Sequence, residues 1–189
     1  MTKSAHTATV RARMTADAFI AWAMERPEGE RHELAAGEVV AMAPERSAPA
    51  LVKARVWRAL DAAITAAGLS CTAYPDGMAV RVDDATVYEP DALVRCGAPL
   101  PDDAVQIVDP LIVVEVLSPS SRARDAAAKL EDYFRMPSVR HYLIVKTENR
   151  TVIHHRLDDD GSIATRILRG GALELAPPGL RVTVESFFR

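Results

Sequence analysis

The sequence of 189 residues is poor in features that mark several classes of protein. Aromatic residues make up only 5% of it, and the two cysteines, Cys71 and Cys96, do not form a CxxC pair. Their spacing favours two buried thiols in a reducing compartment over a zinc site or a disulfide framework. No apolar run approaches the ~20 residues that span a bilayer, and the amino-terminal segment lacks the apolar part of a secretory signal. We therefore expect a soluble cytoplasmic protein.

The signatures of two common hydrolase classes are also missing. Without a GxSxG segment or a Walker-type loop, serine hydrolysis and nucleotide hydrolysis by those routes lack support. None of the five histidines has convincing metal-ligand spacing, since His154 and His155 point to opposite faces of a strand and His32 and His141 are isolated. The formal net charge of −3 means that the chain as a whole is not a basic nucleic-acid-binding module.

A local cluster of positive charge is nevertheless present. Arg46, Lys53, Arg55 and Arg58 follow one another with no acidic residue among them before Asp61. This segment is either the solvated face of a helix or a surface that contacts phosphates. In the second interpretation, Lys53 and Arg55 are the candidate phosphate contacts.

Hydrophobic periodicity predicts three helices. The first begins after Thr15 and ends before Pro27, the second covers about 48–67, and the third runs from the serines at 118–121 to about Met136. The apolar positions of the second helix are Leu51, Val52, Val56, Leu60 and Ile64.

Short strand patterns lie between and after these helices. One hairpin is predicted with its turn at Ala36 and Gly37, and several short strands follow the third helix. This order predicts an α/β fold in which a mixed sheet is flanked by helices, with extra C-terminal strands. We expect a single domain over 31–189, preceded by an extension, 1–30, whose short helix packs on the core.

The run LIVVEVL at 111–117 is apolar on both faces except for Glu115, which predicts a central strand. A buried carboxylate requires a cation, a hydrogen-bond network or a path to water. Asp91 opens another predicted strand just after Pro90. If the two strands are neighbours, both carboxylates converge as oxygen ligands of the kind that Mg²⁺ prefers. Structural hydrogen bonding or an arginine partner is the alternative.

Lys129 lies at the border of the core-facing stripe of the third helix, beside Tyr133. Asp125 precedes it by four residues, so a surface ion pair worth ~0.2–0.5 kcal/mol is one interpretation. In the other, the ammonium group lies near a metal-bound water, where it favours hydroxide and stabilises the charge of an attacked phosphate.

Three segments carry a resemblance to a known family. They are HELAAGEVVAMAP, EPDALV and LIVVEVLSPSSRARDAAAKLEDYFRMPSVRHYLIV. They resemble the Uma-type putative restriction endonuclease family, a branch of the PD-(D/E)xK nuclease superfamily. The resemblance extends from about Arg31 to Phe188 and implies a restriction-endonuclease-like core, with a divalent-metal site at the edge of a mixed sheet.

The resemblance also implies roles for single residues. Asp91 and Glu115 match the acidic motif residues and, with the main-chain carbonyl of Val116, would hold Mg²⁺ or Mn²⁺. The usual motif lysine is replaced by Leu117, and Lys129 is similar to a lysine that has migrated to the helix.

Further residues match the family pattern more loosely. Glu33 corresponds to an outer or third metal ligand, and Asp125 to a residue that orients Lys129. Arg122 and Arg124, at the start of the same helix, are candidate phosphate contacts. The chain departs from the family pattern near Pro49, where a histidine is common, and at Lys146, where an aspartate is common.

These observations lead to one principal hypothesis and two alternatives. The hypothesis is a metal-dependent endonuclease acting on nucleic acid, most naturally DNA, and by analogy a homodimer. The first alternative is an inactive nucleic-acid-binding or interaction protein that retains the nuclease fold. The second is purely structural, with Glu115 and Lys129 forming a buried salt bridge.

Overall fold

Three helices lie in the residues that the computed structural model describes, which are 13–117 and 123–189, without the side chains of 123–127. They are α1 (Ala16–Met24), α2 (Ser47–Ala67) and α3 (Ala123–Arg135), as the periodicity predicts. At the start of α1 the Thr15 hydroxyl accepts a hydrogen bond from the Ala18 N–H at 3.3 Å. At the end of α2, Gly68 adopts a φ of 61°, a left-handed conformation that favours glycine. The predicted serine caps at 118–121 lie outside the described residues.

The described strands alternate with these helices and also follow them. In chain order they are β1 (His32–Ala35), β2 (Glu38–Ala41), β3 (Cys71–Pro75), β4 (Ala79–Asp83), β5 (Thr86–Tyr88), β6 (Ala92–Cys96), β7 (Gln106–Ile107), β8 (Ile112–Leu117), β9 (His141–Lys146), β10 (Thr151–Leu157), β11 (Ile163–Leu168), β12 (Ala172–Leu175) and β13 (Leu180–Thr183). A short 3-10 helix, Val184–Phe187, closes the chain.

The larger sheet has six strands in the order β11-β10-β9-β8-β6-β3. The pair β8–β9 is parallel, while the other neighbours are antiparallel. Val56 and Leu60 of α2 pack on one face of this sheet, and Tyr133 of α3 and Met136, just after this helix, pack on the other. The run around Glu115 is therefore an interior strand covered on both faces, as predicted.

The remaining strands form a second sheet and a hairpin. The second sheet has the order β2-β1-β5-β4-β7, and β12 pairs with β13. Ala16 and Phe19 of α1 pack with Leu34 and Val87 of the second sheet. The mixed α/β fold is confirmed, with its strands divided between two sheets rather than one. No helix among the described residues is long and apolar enough to cross a membrane.

The prediction of two free thiols was wrong. Cys71 and Cys96 form a disulfide, because the antiparallel pairing of β3 with β6 places them directly opposite each other. The sequence interpretation did not identify β3, so this pairing was not foreseen. The cytoplasmic location stays a prediction.

The description of His141 as isolated was also wrong. Its Nδ1 lies 2.9 Å from Nε2 of His154, and its Nε2 donates to the carbonyl of Pro177 at 2.9 Å. Since Pro177 lies between β12 and β13, this chain of bonds connects the C-terminal hairpin to the larger sheet. Burial lowers the pKa of both imidazoles to about 4.

Candidate active site

Asp91 and Glu115 face each other across two neighbouring strands. Ala92 pairs with Val114 in the β6–β8 register, and the N–H of Asp91 donates to the carbonyl of Val114 at 3.0 Å. The next pair in this antiparallel register is Asp91 opposite Glu115. Both residues are buried, with 6% and 8% of their surfaces exposed. The strands that carry the two predicted carboxylates are thus adjacent.

Both oxygens of the Asp91 carboxylate have a partner. Oδ2 accepts a hydrogen bond from the Val116 N–H at 2.5 Å, and Oδ1 lies 2.7 Å from Nζ of Lys53. Burial raises the pKa of Asp91 although Lys53 and the Val116 N–H act in the opposite direction. Because the N–H and C=O of a strand residue face the same neighbour, the Val116 carbonyl is on the Asp91 side of β8.

Lys129 joins two glutamates from different sheets. Its Nζ lies 3.0 Å from Oε1 of Glu115 in β8 and 2.7 Å from Oε1 of Glu33 in β1. It also lies 4.8 Å from the ring centroid of Tyr88, a cation–π distance. The site therefore lies where the two sheets meet, and Glu33 and Lys129, both predicted from the sequence, contact each other there.

The protonation of Glu115 is shifted by its surroundings. Burial raises its pKa to about 7; the charges of Asp91 and Glu33 add to this rise, while Lys129 opposes it. Burial disfavours the charged form of Lys129 too, but Glu115 and Glu33 outweigh that cost and raise its pKa. The hydroxyl of Tyr133 donates to Oε1 of Glu115 at 3.0 Å and holds this oxygen in place.

Lys53 occupies a different position from the one expected of a surface phosphate contact. Its Nζ lies 2.8 Å from Glu45 and 3.2 Å from Asp76, in addition to Asp91. Of the other predicted phosphate contacts, Arg55 is half-buried on α2. Arg122 lies outside the described residues.

The side chains of Arg124 and Asp125 also lie outside the described part of the chain, although both residues belong to α3. Their proposed roles in phosphate contact and in orienting Lys129 therefore stay predictions.

A second shell of charges surrounds these groups. Arg31 contacts Asp76 at 2.9 Å and Glu89 at 3.1 Å, and the Glu89 N–H donates to Glu33 at 3.0 Å. The connected carboxylates are Glu33, Glu45, Asp76, Glu89, Asp91 and Glu115, and the connected cations are Arg31, Lys53 and Lys129. Six carboxylates against three cations leave a surplus of negative charge.

This donor set fits a divalent cation in chemistry and charge. Carboxylate and carbonyl oxygens are the ligands that Mg²⁺ prefers, and the surplus negative charge would be reduced by such an ion. In the described part of the chain, however, no three His, Cys, Asp or Glu side chains form a cluster that could hold a metal. The carboxylates are arranged about the two lysine ammonium groups instead.

Comparisons with known proteins identify the family and agree with the fold. The model of the Uma2 family, described as "Putative restriction endonuclease", matches residues 16–185. An uncharacterized protein of Synechocystis sp. is 25% identical over 179 residues, which cover 94% of this chain and 92% of that protein. The fold is similar to the crystal structure of a putative nuclease belonging to DUF820 from Anabaena variabilis, with a TM-score of 0.73 and 13% identity over 93% of this chain and 97% of the other.

Proposed function

Because the chain belongs to the Uma2 family of putative restriction endonucleases, we propose that it is a divalent-metal-dependent endonuclease that hydrolyses phosphodiester bonds of DNA. The observation that carries the proposal is that Asp91 lies opposite Glu115 on neighbouring strands, while Lys129 joins Glu115 to Glu33 between the two sheets. Homodimer formation belongs to the same proposal, by analogy with nucleases that address two strands.

In this proposal, Asp91, Glu115, the Val116 carbonyl and Glu33 would hold Mg²⁺ or Mn²⁺. When bound, such an ion would supply Lewis acidity and a water of lowered pKa. Lys129 places a positive charge beside Glu115, where it stabilises the negative charge that develops on an attacked phosphate. Arg55, Arg122 and Arg124 are the proposed phosphate contacts.

The hydrogen bond from Tyr133 gives Glu115 a fixed orientation. The Val116 N–H does the same for Asp91 through Oδ2. Both carboxylates are therefore held by neutral donors as well as by lysines. Such preorganisation lowers the cost of arranging the site for reaction.

Plasmid nicking with Mn²⁺ tests this function. We expect Asp91→Ala and Glu115→Ala each to lose roughly a hundredfold or more of the nicking rate, since removing groups that only support metal ligands already costs 10–100-fold. Glu131→Ala is the control, because Glu131 is an exposed carboxylate on α3, two residues beyond Lys129. This variant should stay within about twofold of the wild type. Nicking that survives both Asp91→Ala and Glu115→Ala would overturn the mechanism.

A non-catalytic nucleic-acid-binding protein is the second candidate. The observation in its favour is that Lys53 and Lys129 already contact all three proposed acidic ligands. This candidate predicts DNA binding in a gel-shift assay without Mn²⁺-dependent nicking. Calorimetric titration of the wild type and Asp91→Ala with Mn²⁺ distinguishes the two, since the nuclease requires Mn²⁺ binding that the variant loses.

A further inference from the structure

Asp91 differs from the other two proposed acidic ligands in how its oxygens are used. Lys129 contacts Oε1 of Glu33 and Oε1 of Glu115, and the second oxygen of each glutamate accepts no hydrogen bond from the described residues. The Asp91 carboxylate has the Val116 N–H on Oδ2 and Lys53 on Oδ1. A cation that binds Oδ1 leaves the main-chain hydrogen bond on Oδ2 intact, but at Oδ1 it meets the positive charge of the Lys53 ammonium.

The Lys53 ammonium has two further partners that it can keep if it leaves Asp91. Glu45 lies 2.8 Å from Nζ and Asp76 lies 3.2 Å from it, with side chains that are 30% and 29% exposed. The Asp91 side chain is only 8% exposed. Glu45 and Asp76 are thus on the solvent side of the ammonium, and Asp91 is on its buried side. A small rotation of the flexible lysine stem can break the contact with Asp91 and keep the contacts with Glu45 and Asp76.

We propose that Lys53 is a positioning residue that acts as the internal counter-ion of Asp91 in the metal-free site, and that it leaves Asp91 but stays bound to Glu45 and Asp76 when a divalent cation binds. The inference rests on the proposed metal-dependent function. Lys53 stabilises a buried carboxylate that would otherwise lack a cation, and it lowers the affinity for metal because the two cations compete for Oδ1. Glu45 and Asp76 reduce that competition because they hold the ammonium when it leaves Asp91.

Calorimetric titration with Mn²⁺ provides the test. Lys53→Met removes the competitor, and we expect the dissociation constant for Mn²⁺ to fall by roughly tenfold or more, within the range of ordinary coupling between two sites. Arg58→Met is the matched control, since it removes a positive charge from the exposed side of the same helix. It should change the dissociation constant by about twofold at most, because solvent screens exposed charges. The gain in Mn²⁺ affinity should vanish when Lys53→Met is combined with Asp91→Asn.

Thermal unfolding provides an independent readout. Without metal, Lys53→Met should melt below the wild type, because Asp91 then lacks its cation. Saturating Mn²⁺ should raise its melting temperature by more than it raises that of the wild type, since a tighter ligand stabilises the folded state more.

A second pair of variants tests the inference if Lys53→Met does not fold. Glu45→Gln removes the negative charge of a partner that holds the Lys53 ammonium away from Asp91, and Glu89→Gln removes the charge of a carboxylate that contacts Arg31 instead. We expect Glu45→Gln to weaken Mn²⁺ binding several-fold more than Glu89→Gln does. Equal effects of the two variants would overturn the inference.

The outcomes separate this inference from the proposed function. If the wild type binds Mn²⁺ and a folded Lys53→Met binds it no more tightly, the inference is wrong and the metal site stands. If neither protein binds Mn²⁺, the metal-dependent function and the inference are both overturned. Binding by Lys53→Met but not by the wild type supports the inference, because it shows that Lys53 blocks the site.

Discussion

Three tyrosines surround the charged site, and their hydroxyls differ in what they contact. The Tyr133 hydroxyl donates to Glu115, and that of Tyr88 donates to Asp132. The Tyr142 hydroxyl is buried and has no hydrogen-bond partner among the described residues. Tyr133 and Tyr142 have neighbouring rings, with centroids 5.2 Å apart, and both are fully buried. They form a matched pair that differs chiefly in one hydrogen bond.

Removing each hydroxyl should therefore have different effects. Tyr133→Phe deletes a hydrogen bond to a carboxylate, and we expect it to lower the free energy of unfolding by about 1.5–3 kcal/mol. Tyr142→Phe deletes an unpartnered polar atom and should be neutral or slightly stabilising. Urea denaturation measures both values. Equal losses in the two variants would show that the Tyr142 hydroxyl has a partner, such as a buried water.

Single residues of the site were predicted to different extents from the sequence. Glu33 and Lys129, which the family pattern indicates, contact each other as part of one network. The contact of Lys53 with Asp91 could not be predicted, because it depends on how α2 packs against the sheet. The sequence interpretation placed Lys53 in a cationic surface segment, and no local spacing connects it to an aspartate 38 positions later.

At the scale of the element, α2 shows what periodicity can and cannot predict. Val52, Val56, Leu60 and Ile64 are buried at intervals of four residues, as the apolar pattern indicates. Leu51, which the sequence interpretation placed in the same stripe, is 54% exposed. Adjacent helical residues differ by about 100° in direction, so Leu51 points away from the face that Val52 buries. An apolar side chain alone did not identify the buried face.

The same helix offers a comparison of two identical substitutions. Leu60→Ala removes a fully buried side chain from the core, and we expect it to cost about 2–5 kcal/mol. Leu51→Ala should change stability by no more than about 0.5 kcal/mol. Alanine favours helix at both sites, so helix propensity does not explain a difference. Urea denaturation of both variants measures the difference in free energy of unfolding. Equal losses would contradict the finding that Leu60 is buried and Leu51 exposed.

At the scale of the whole molecule, acid should destabilise the fold through His141 and His154. Their folded pKa values of about 4 lie below the unfolded value of about 6.5, so the unfolded state binds more protons between these limits. The guanidinium groups of Arg140, Arg156 and Arg166 act in the same direction, because they disfavour positive imidazoles. His155, beside them, also lowers the pKa of His154. Stability due to this pair is therefore present above pH 6.5 and is lost as the pH falls toward 4.

Urea denaturation across this pH range tests the effect of the histidine pair. Two histidines contribute a slope of up to roughly 2.7 kcal/mol per pH unit. His154→Gln should flatten the slope, because it removes one of the two imidazoles whose pKa is lowered in the fold. A slope that persists in His154→Gln would mean that other groups cause the acid sensitivity.

The fold class could be predicted from the sequence, but the pairing of the strands could not. Local patterns indicated the helices and most strands, because apolar spacing and turn residues are local properties. The division of the strands into two sheets depends on contacts between distant segments, such as Leu34 with Val87. The site lies where these sheets meet, so its outer ligand, Glu33, could be related to Glu115 only through the family resemblance.

The disulfide between Cys71 and Cys96 gives this architecture a covalent ring. The chain leaves the six-stranded sheet after β3, forms β4 and β5 of the other sheet, and returns in β6. Asp76, Glu89 and Asp91 all lie within this ring. The bond closes a part of the chain that crosses from sheet to sheet and back, and this part carries half of the site's carboxylates. Opening the ring would leave the pairing of β3 with β6, where this segment departs and returns, to main-chain hydrogen bonds and packing alone.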